Sequence, residues 1–303
     1  MAVANLTHSM EATIQDSHIS NHLSKPQKQR YWDDGYLFPI SAISTAQSKA
    51  WRDELEGIER DWLDNGLPRP LAVYKRVNAH VVMPIAHDIA AHPAILDVVE
   101  GVLGPDILLY STEFLIKEPN SKHMVTMHQD LAYWGLGEID GIVTAWLALS
   151  PATRQSGCMD FVKASHQSPI IPHEDSFDEH NLLSRGQEIK VYVAEEDKTC
   201  GALDTGELSL HHGLMIHGSG PNTTDNRRIG VVIRYISPHV KKPNEARDYG
   251  VPLRGNCDTD NFKLCTPPKG LFHPDDLLDY ETIREDQAAV MMAGAKAKTA
   301  MYS

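Results

Sequence analysis

Between residues 107 and 236 the chain is cut into strand-length apolar stretches, and this rhythm limits the folds open to it more than any other feature. Residues 142–149, Ile-Val-Thr-Ala-Trp-Leu-Ala-Leu, form a near-continuous apolar run that reads as a strand covered on both faces. Residues 107–117 are apolar and β-compatible and end at the turn Pro119-Asn120-Ser121. Shorter strands are expected at 159–162, 189–194, 207–210, 214–217 and 229–236. Many short strands punctuated by Gly and Pro predict a mainly β fold, a sandwich or jelly roll, with helices supplied by the N-terminal third.

Those helices show their own period. Residues 44–65 place Ala46, Ala50, Leu55, Ile58 and Trp62 on one side, with Gly66 as a stop. Residues 85–103 read as a second helix interrupted near Pro93. Residues 27–40 read as a helix end, a turn at Gly35 and a short strand. An acidic helical segment follows Pro274. Residues 1–25 hold little that can be buried and are expected to be loosely ordered. With no internal repeat and no linker, residues 26–303 are read as one domain.

Charge and cysteine usage narrow the partners. The 28 basic and 41 acidic residues give a formal charge of −13, which disfavours nucleic acid and anionic membranes. No apolar run is long enough to span a bilayer, and the N-terminus lacks the apolar core of a secretory signal, so a cytoplasmic location is expected. Cys158, Cys200, Cys257 and Cys265 are scattered without a Cys-x-x-Cys pair, as free thiols would be.

His128-Gln129-Asp130 offers an imidazole and a carboxylate two residues apart, which on an extended strand project from one face. A second stretch about ninety residues later carries His211, His212 and His217, any of which can supply a third ligand. Alternation puts His211 and His217 on one face and His212 on the other. Two histidines and one carboxylate on one face of an octahedron leave positions open, as in non-haem Fe(II) oxygenases. Sixteen histidines make about one His-x-Asp expected by chance, so the weight rests on the surroundings. Further on, Arg228, Gly230, Val232 and Arg234 share one face of a strand. An arginine pointing into a barrel is costly unless it meets a carboxylate, and a dicarboxylate co-substrate would supply one.

Taken together, these elements resemble the phytanoyl-CoA dioxygenase family of Fe(II)- and 2-oxoglutarate-dependent oxygenases. The matching residues are Asp34-Gly35-Tyr36, 114–119 (Phe-Leu-Ile-Lys-Glu-Pro), His128-Gln129-Asp130, 144–149, Gly157-Cys158-Met159, Ser165-His166, and His217-Gly218-Ser219 with Pro221-Asn222, ending in Arg227-Arg228. They occur in order over residues 30–240.

The resemblance implies a double-stranded β-helix core, with His128, Asp130 and His217 holding iron. It implies Arg228, assisted by Ser219, as partner of the distal carboxylate of 2-oxoglutarate, with Trp146 lining that pocket and Lys117 contacting the co-substrate. Arg234 is the alternative arginine. Related halogenases lack the carboxylate that this chain keeps at Asp130, so hydroxylation is favoured over halogenation. Fe(II), 2-oxoglutarate and O2 are the implied cofactors, and succinate and CO2 the co-products. Desaturation and demethylation share the same iron chemistry. The contrasting reading is a cupin-like metal- or ligand-binding protein without turnover, which would have no need for both the triad and Arg228. Tyr133 and Trp134, just past the first motif, and Arg185, in the polar connection 168–187, are candidate substrate contacts. The acidic bias of that connection predicts a small cationic or zwitterionic substrate.

Overall fold

In the computed structural model, which describes residues 22–63, 66–176, 178–183 and 186–291, the strand rhythm resolves into two facing sheets. The larger sheet runs β1 (Tyr36–Ser41), β9 (Glu207–His212), β4 (Ile142–Ala148), β11 (Arg228–Ile236), β2 (Ile107–Lys117), β12 (Asp248–Arg254) and β13 (Phe262–Leu264). The smaller runs β3 (Val125–His128), β10 (His217–Ser219), β5 (Met159–Val162) and β8 (Lys198–Gly201). A hairpin of β6 (His173–Asp175) and β7 (Gln187–Ile189) stands apart. The arrangement is a jelly roll flanked by helices, as the strand pattern predicts. Among the described residues no helix is long and apolar enough to cross a membrane, and all four cysteines are free thiols.

The helices α1 (Lys25–Asp34), α2 (Thr45–Trp62), α3 (Leu71–Arg76), α4 (Pro84–Ala90) and α5 (Pro93–Leu103) precede the jelly roll, and α6 (Pro274–Met291) follows it. α1 starts at a Ser24–Gln27 capping box and ends where Gly35, at φ 82°, takes the left-handed conformation that a Cβ disfavours. Residues 85–103 form two helices rather than one with a kink. The residue before Pro93 is driven out of the helical region, and Pro93 then sits in the first turn of α5 behind its His92 cap.

β11 organises the large sheet. It pairs with β2 on one side and β4 on the other. Ile229, Val231 and Ile233 join Leu147, Leu210 and Leu55 in the main core on the helical face. On the opposite face Trp146 and Val232 pack with Phe161 and Met159 of the small sheet. The registers line up four residues across that inner face, Ser111, Arg234, Thr144 and His211, and at the far end of β2 they pair Lys117 with Arg228. Gly230 lets the Trp146 indole lie flat between these ends, because a Cβ there would come within 1.9 Å of Cζ2.

Two expected strands differ. Residues 190–194 leave the β6–β7 hairpin after Ile189, and Val191 and Tyr192 are exposed, with no partner strand among the described residues to cover them. Residues 214–216 are a turn, closed by Met215 N–H donating to the His212 carbonyl, and the strand begins only at His217. Leu214 and Met215 are apolar because they are packed in core clusters, not because they alternate. Arg185 and residues 1–21 lie outside the described residues.

The close contact at Gly230 yields a stability prediction. Gly230→Ala should overpack the sheet interior and destabilise the fold by about 1–3 kcal/mol, read as a lower urea midpoint at unchanged m-value. An unchanged midpoint would show that the indole is free to move.

Candidate metal centre and adjoining cavity

The candidate centre forms where β3 meets β10. His217 opens β10 and is the register partner of His128, the last residue of β3, which sets the ring centroids 4.3 Å apart. Asp130 is not on the strand. It begins a single 3-10 turn, Asp130–Ala132, after Gln129 has kept extended backbone. The buried Gln129 side chain pins this turn, donating to the Leu214 carbonyl at 2.9 Å and accepting from Ile171 N–H at 2.9 Å. His128, Asp130 and His217, all buried, each offer one ligand atom within 4.8 Å of the others.

The donor set is prepared for a cation. His128 Nδ1 lies 2.9 Å from the Thr126 carbonyl and His217 Nδ1 2.9 Å from the Met215 carbonyl. A carbonyl can only accept, so both rings carry hydrogen on Nδ1 and keep the Nε2 lone pair for a metal. Burial pushes the His217 imidazole well below its ordinary pKa, and His128 and His211 add to this. Burial alone would raise Asp130. The Arg234 charge, helped by the nearby His128, His211 and His217 imidazoles, outweighs it and holds the carboxyl well below its ordinary value. Thr144 Oγ1 donates to Asp130 Oδ2 at 3.0 Å, while Oδ1 faces His128 Nε2 at 3.4 Å.

His212 faces away, as alternation predicts, bonding Asp140 at 3.0 Å and packing against His166. His211 stays on the inner face. It is buried, 4.4 Å from the His217 ring and 3.7 Å from Asp130 Oδ2, and neither of its ring nitrogens has a hydrogen-bond partner.

The three residues open onto a cavity of about 1230 Å³, counting the solvent at its mouth. Trp146, Ser219, Tyr133 and Trp134 line it, while Lys117 and Arg228 lie behind its wall. Lys117 is fully buried rather than a solvated strand end, donating to Ser219 Oγ at 2.6 Å and to the Gly220 carbonyl. Burial and then the neighbouring Arg228 charge lower its pKa to about 6. Arg228 is also fully buried, with its guanidinium 5.3 Å from the Trp146 ring centroid, and none of its three nitrogens has a hydrogen-bond partner. Asn222 fixes this corner by donating to the carbonyls of Lys117, Glu118 and Asn226. Arg234 is different. It bonds Glu113 at 2.8 Å and stacks on Trp134, about 20 Å along β11 from Arg228. An orphaned guanidinium beside a lysine and a serine suits a carboxylate, and Arg228 meets that description while Arg234 does not.

Glu113 and Arg76 were not named by sequence reasoning, and Thr144 and Gln129 entered it as motif residues without a role of their own. Counting back by two from Trp146 reaches Thr144. Arg76 sits on α3, a helix too short to show a period.

Comparison with known proteins bears on the same residues. The family model described as Phytanoyl-CoA dioxygenase (PhyH) matches residues 31–230. Peroxisomal phytanoyl-CoA dioxygenase of Bos taurus is 27% identical over 242 residues, 74% of this chain and 70% of its own length. L-proline trans-4-hydroxylase of Streptomyces griseoviridis is 24% identical over 230 residues, 69% of this chain and 84% of its own. Among solved structures, the non-heme monooxygenase ThoJ in its apo form superposes with a TM-score of 0.76 at 32% identity, covering 88% of this chain and 96% of that one.

Arg228 carries a cost that can be measured. Replacing a buried, uncompensated guanidinium with an apolar side chain of similar length, Arg228→Met, should stabilise the ligand-free protein by about 1–4 kcal/mol in urea unfolding. A destabilised variant would mean that the charge is already compensated.

Proposed function

The chain belongs to the phytanoyl-CoA dioxygenase family, and on that premise we propose that His128, Asp130 and His217 hold Fe(II) in an enzyme that hydroxylates an unactivated C–H bond of a small molecule. In the overall reaction one substrate C–H, 2-oxoglutarate and O2 become the alcohol, succinate and CO2. Bound iron supplies the site at which co-substrate and O2 are activated. Arg228 receives the distal carboxylate of 2-oxoglutarate, with Ser219 and Lys117 beside it and Trp146 lining that pocket. Tyr133 and Trp134 frame the substrate side.

The observation that carries this reading is the unpartnered Arg228 guanidinium, buried behind the cavity wall. A triad alone would serve any divalent-metal binder. A buried cation without a counter-charge at the end of the same face serves a dicarboxylate.

The protein side of the chemistry is positioning. The Thr126 and Met215 carbonyls hold the two imidazoles in the coordinating tautomer. Thr144 occupies Asp130 Oδ2 and leaves Oδ1 toward the histidines. Lys117 supplies a proton-bearing group where a carboxylate would arrive.

Anaerobic titration of the apo-protein with Fe(II) and then 2-oxoglutarate should produce the visible charge-transfer band of a chelated 2-oxo acid. Iron binding without that band would favour the non-catalytic binding protein. His217→Ala should abolish iron binding, whereas His212→Ala should keep most of it. Arg228→Ala should raise the 2-oxoglutarate requirement by about 100-fold with iron affinity retained. A similar effect from Arg234→Ala alone would move the assignment.

The lysine adds a pH signature. Its pKa near 6 in the ligand-free protein should rise when an anion arrives beside it, so 2-oxoglutarate binding near pH 7.5 should take up about one proton. Calorimetry in buffers of different ionisation enthalpy reads this directly, and Lys117→Met should remove the uptake.

A further inference from the structure

The cavity beyond the metal centre has a lopsided charge. Among the described residues lining it, and leaving Asp130 to the metal, three cations (Arg76, Arg234 and Lys242) face two carboxylates, Glu113 and Asp248. Lys242 and Asp248 neutralise each other at 2.5 Å, and Asp248 also accepts from Tyr110 at 2.9 Å and Gln287 at 3.1 Å. That corner is closed on itself. Glu113 is shared by two guanidiniums, taking Arg234 Nη2 on Oε1 at 2.8 Å and Arg76 Nε on Oε2 at 3.2 Å. One carboxylate therefore serves two arginines on the same wall. In the metal-free protein Asp130 helps to balance Arg234 from 3.9 Å. A divalent ion bound by Asp130 would claim that charge and leave Glu113 as the lining carboxylate that the two guanidiniums share.

The hydrogen-bond inventory points the same way. The carboxylate acceptors on this wall are engaged, while His211, buried in the same row as Arg234, has no hydrogen-bond partner at either nitrogen. The acidic residues of the 168–187 connection do not offset this. Glu174 pairs with Lys190, Asp178 and Glu179 are exposed, and among the described residues of that connection only Leu183 lines the cavity.

We infer that the substrate carries a carboxylate, and that Arg76 and Arg234 receive it beside the metal centre. The inference rests on the metal-site reading above and names the substrate class for that site. It replaces the expectation drawn from the acidic loop with the opposite sign, and it keeps a zwitterion only through its acid end. The remaining wall, with Val77, Leu183, Tyr133 and Val290, suits an apolar or aromatic body attached to that acid.

The test uses the full-length enzyme loaded anaerobically with Fe(II) and saturating 2-oxoglutarate, so that the Arg228 end is filled. Phenylacetate, phenylacetamide and phenethylamine, which share a body and differ in head group, are titrated by calorimetry. Phenylacetate should bind at least about tenfold tighter than the amide, with the amine weakest. Arg76→Met should erase the preference and Arg76→Lys should keep most of it. Tighter binding of the amide or amine, no binding of any of the three up to the solubility limit, or an undiminished preference in folded Arg76→Met would overturn the inference. Should Arg76→Met fail to fold, the wild-type order and the Lys variant still decide. Absence of the charge-transfer band before any probe is added would instead count against the metal-site reading, so the two failures are distinguishable.

Discussion

A strand with a neighbour on each side and a layer on each face has nowhere to send a charged side chain except into the protein, and β11 is such a strand. Its alternation is therefore decisive. One set of residues feeds the helical core, and the other set can only line whatever lies between the sheets. Placing Arg228 and Arg234 in the second set commits the inner face to binding charge, because a buried guanidinium without an anion is costly. Gly230 and Val232, between them, are small enough for Trp146 to separate the two arginines. The candidate metal centre and the buried Arg228 are thus set apart by one register.

The two ends differ in how they balance charge. Around Asp130 the anion sits among donors that are already oriented, with Thr144 hydrogen-bonded and His211 and Arg234 close by. Around Arg228 its register partner Lys117 is a second basic side chain, and burial followed by the Arg228 charge lowers the affinity of the lysine for its proton. The first end is preorganised for a cation. The second is strained until an anion comes. An enzyme that must bind metal before co-substrate benefits from that asymmetry, since the dicarboxylate gains from both ends at once.

Much of this was readable in the residues. The run at 142–149 and the alternation of 228–234 are strong because both faces of those strands are buried, so periodicity and burial agree. His128, Asp130 and His217 come together as predicted, although Asp130 reaches the others through a 3-10 turn and not along a strand. The strand argument gave the right juxtaposition for a different reason, since two residues of extended chain and one turn end at a similar place. Misreadings fell where apolar residues serve packing without pairing, at Leu214–Met215 and at Val191–Tyr192. α3 and the short strands β8, β12 and β13 escaped because three to seven residues show no reliable period.

Charge shows how position in the fold decides which groups a bound molecule meets. The chain carries a net −13 and a connection rich in acidic residues, yet Glu174, Asp178 and Glu179 of that connection face solvent, where screening limits their reach to about a Debye length. Within the cavity the fixed charges are few, close and poorly screened, so each weighs more there than a surface carboxylate does. Arg76 enters this wall from a helix, Glu113 from β2 and Arg234 from β11, three elements whose separation in sequence hides their convergence. The charge pattern of that wall is a property of that convergence.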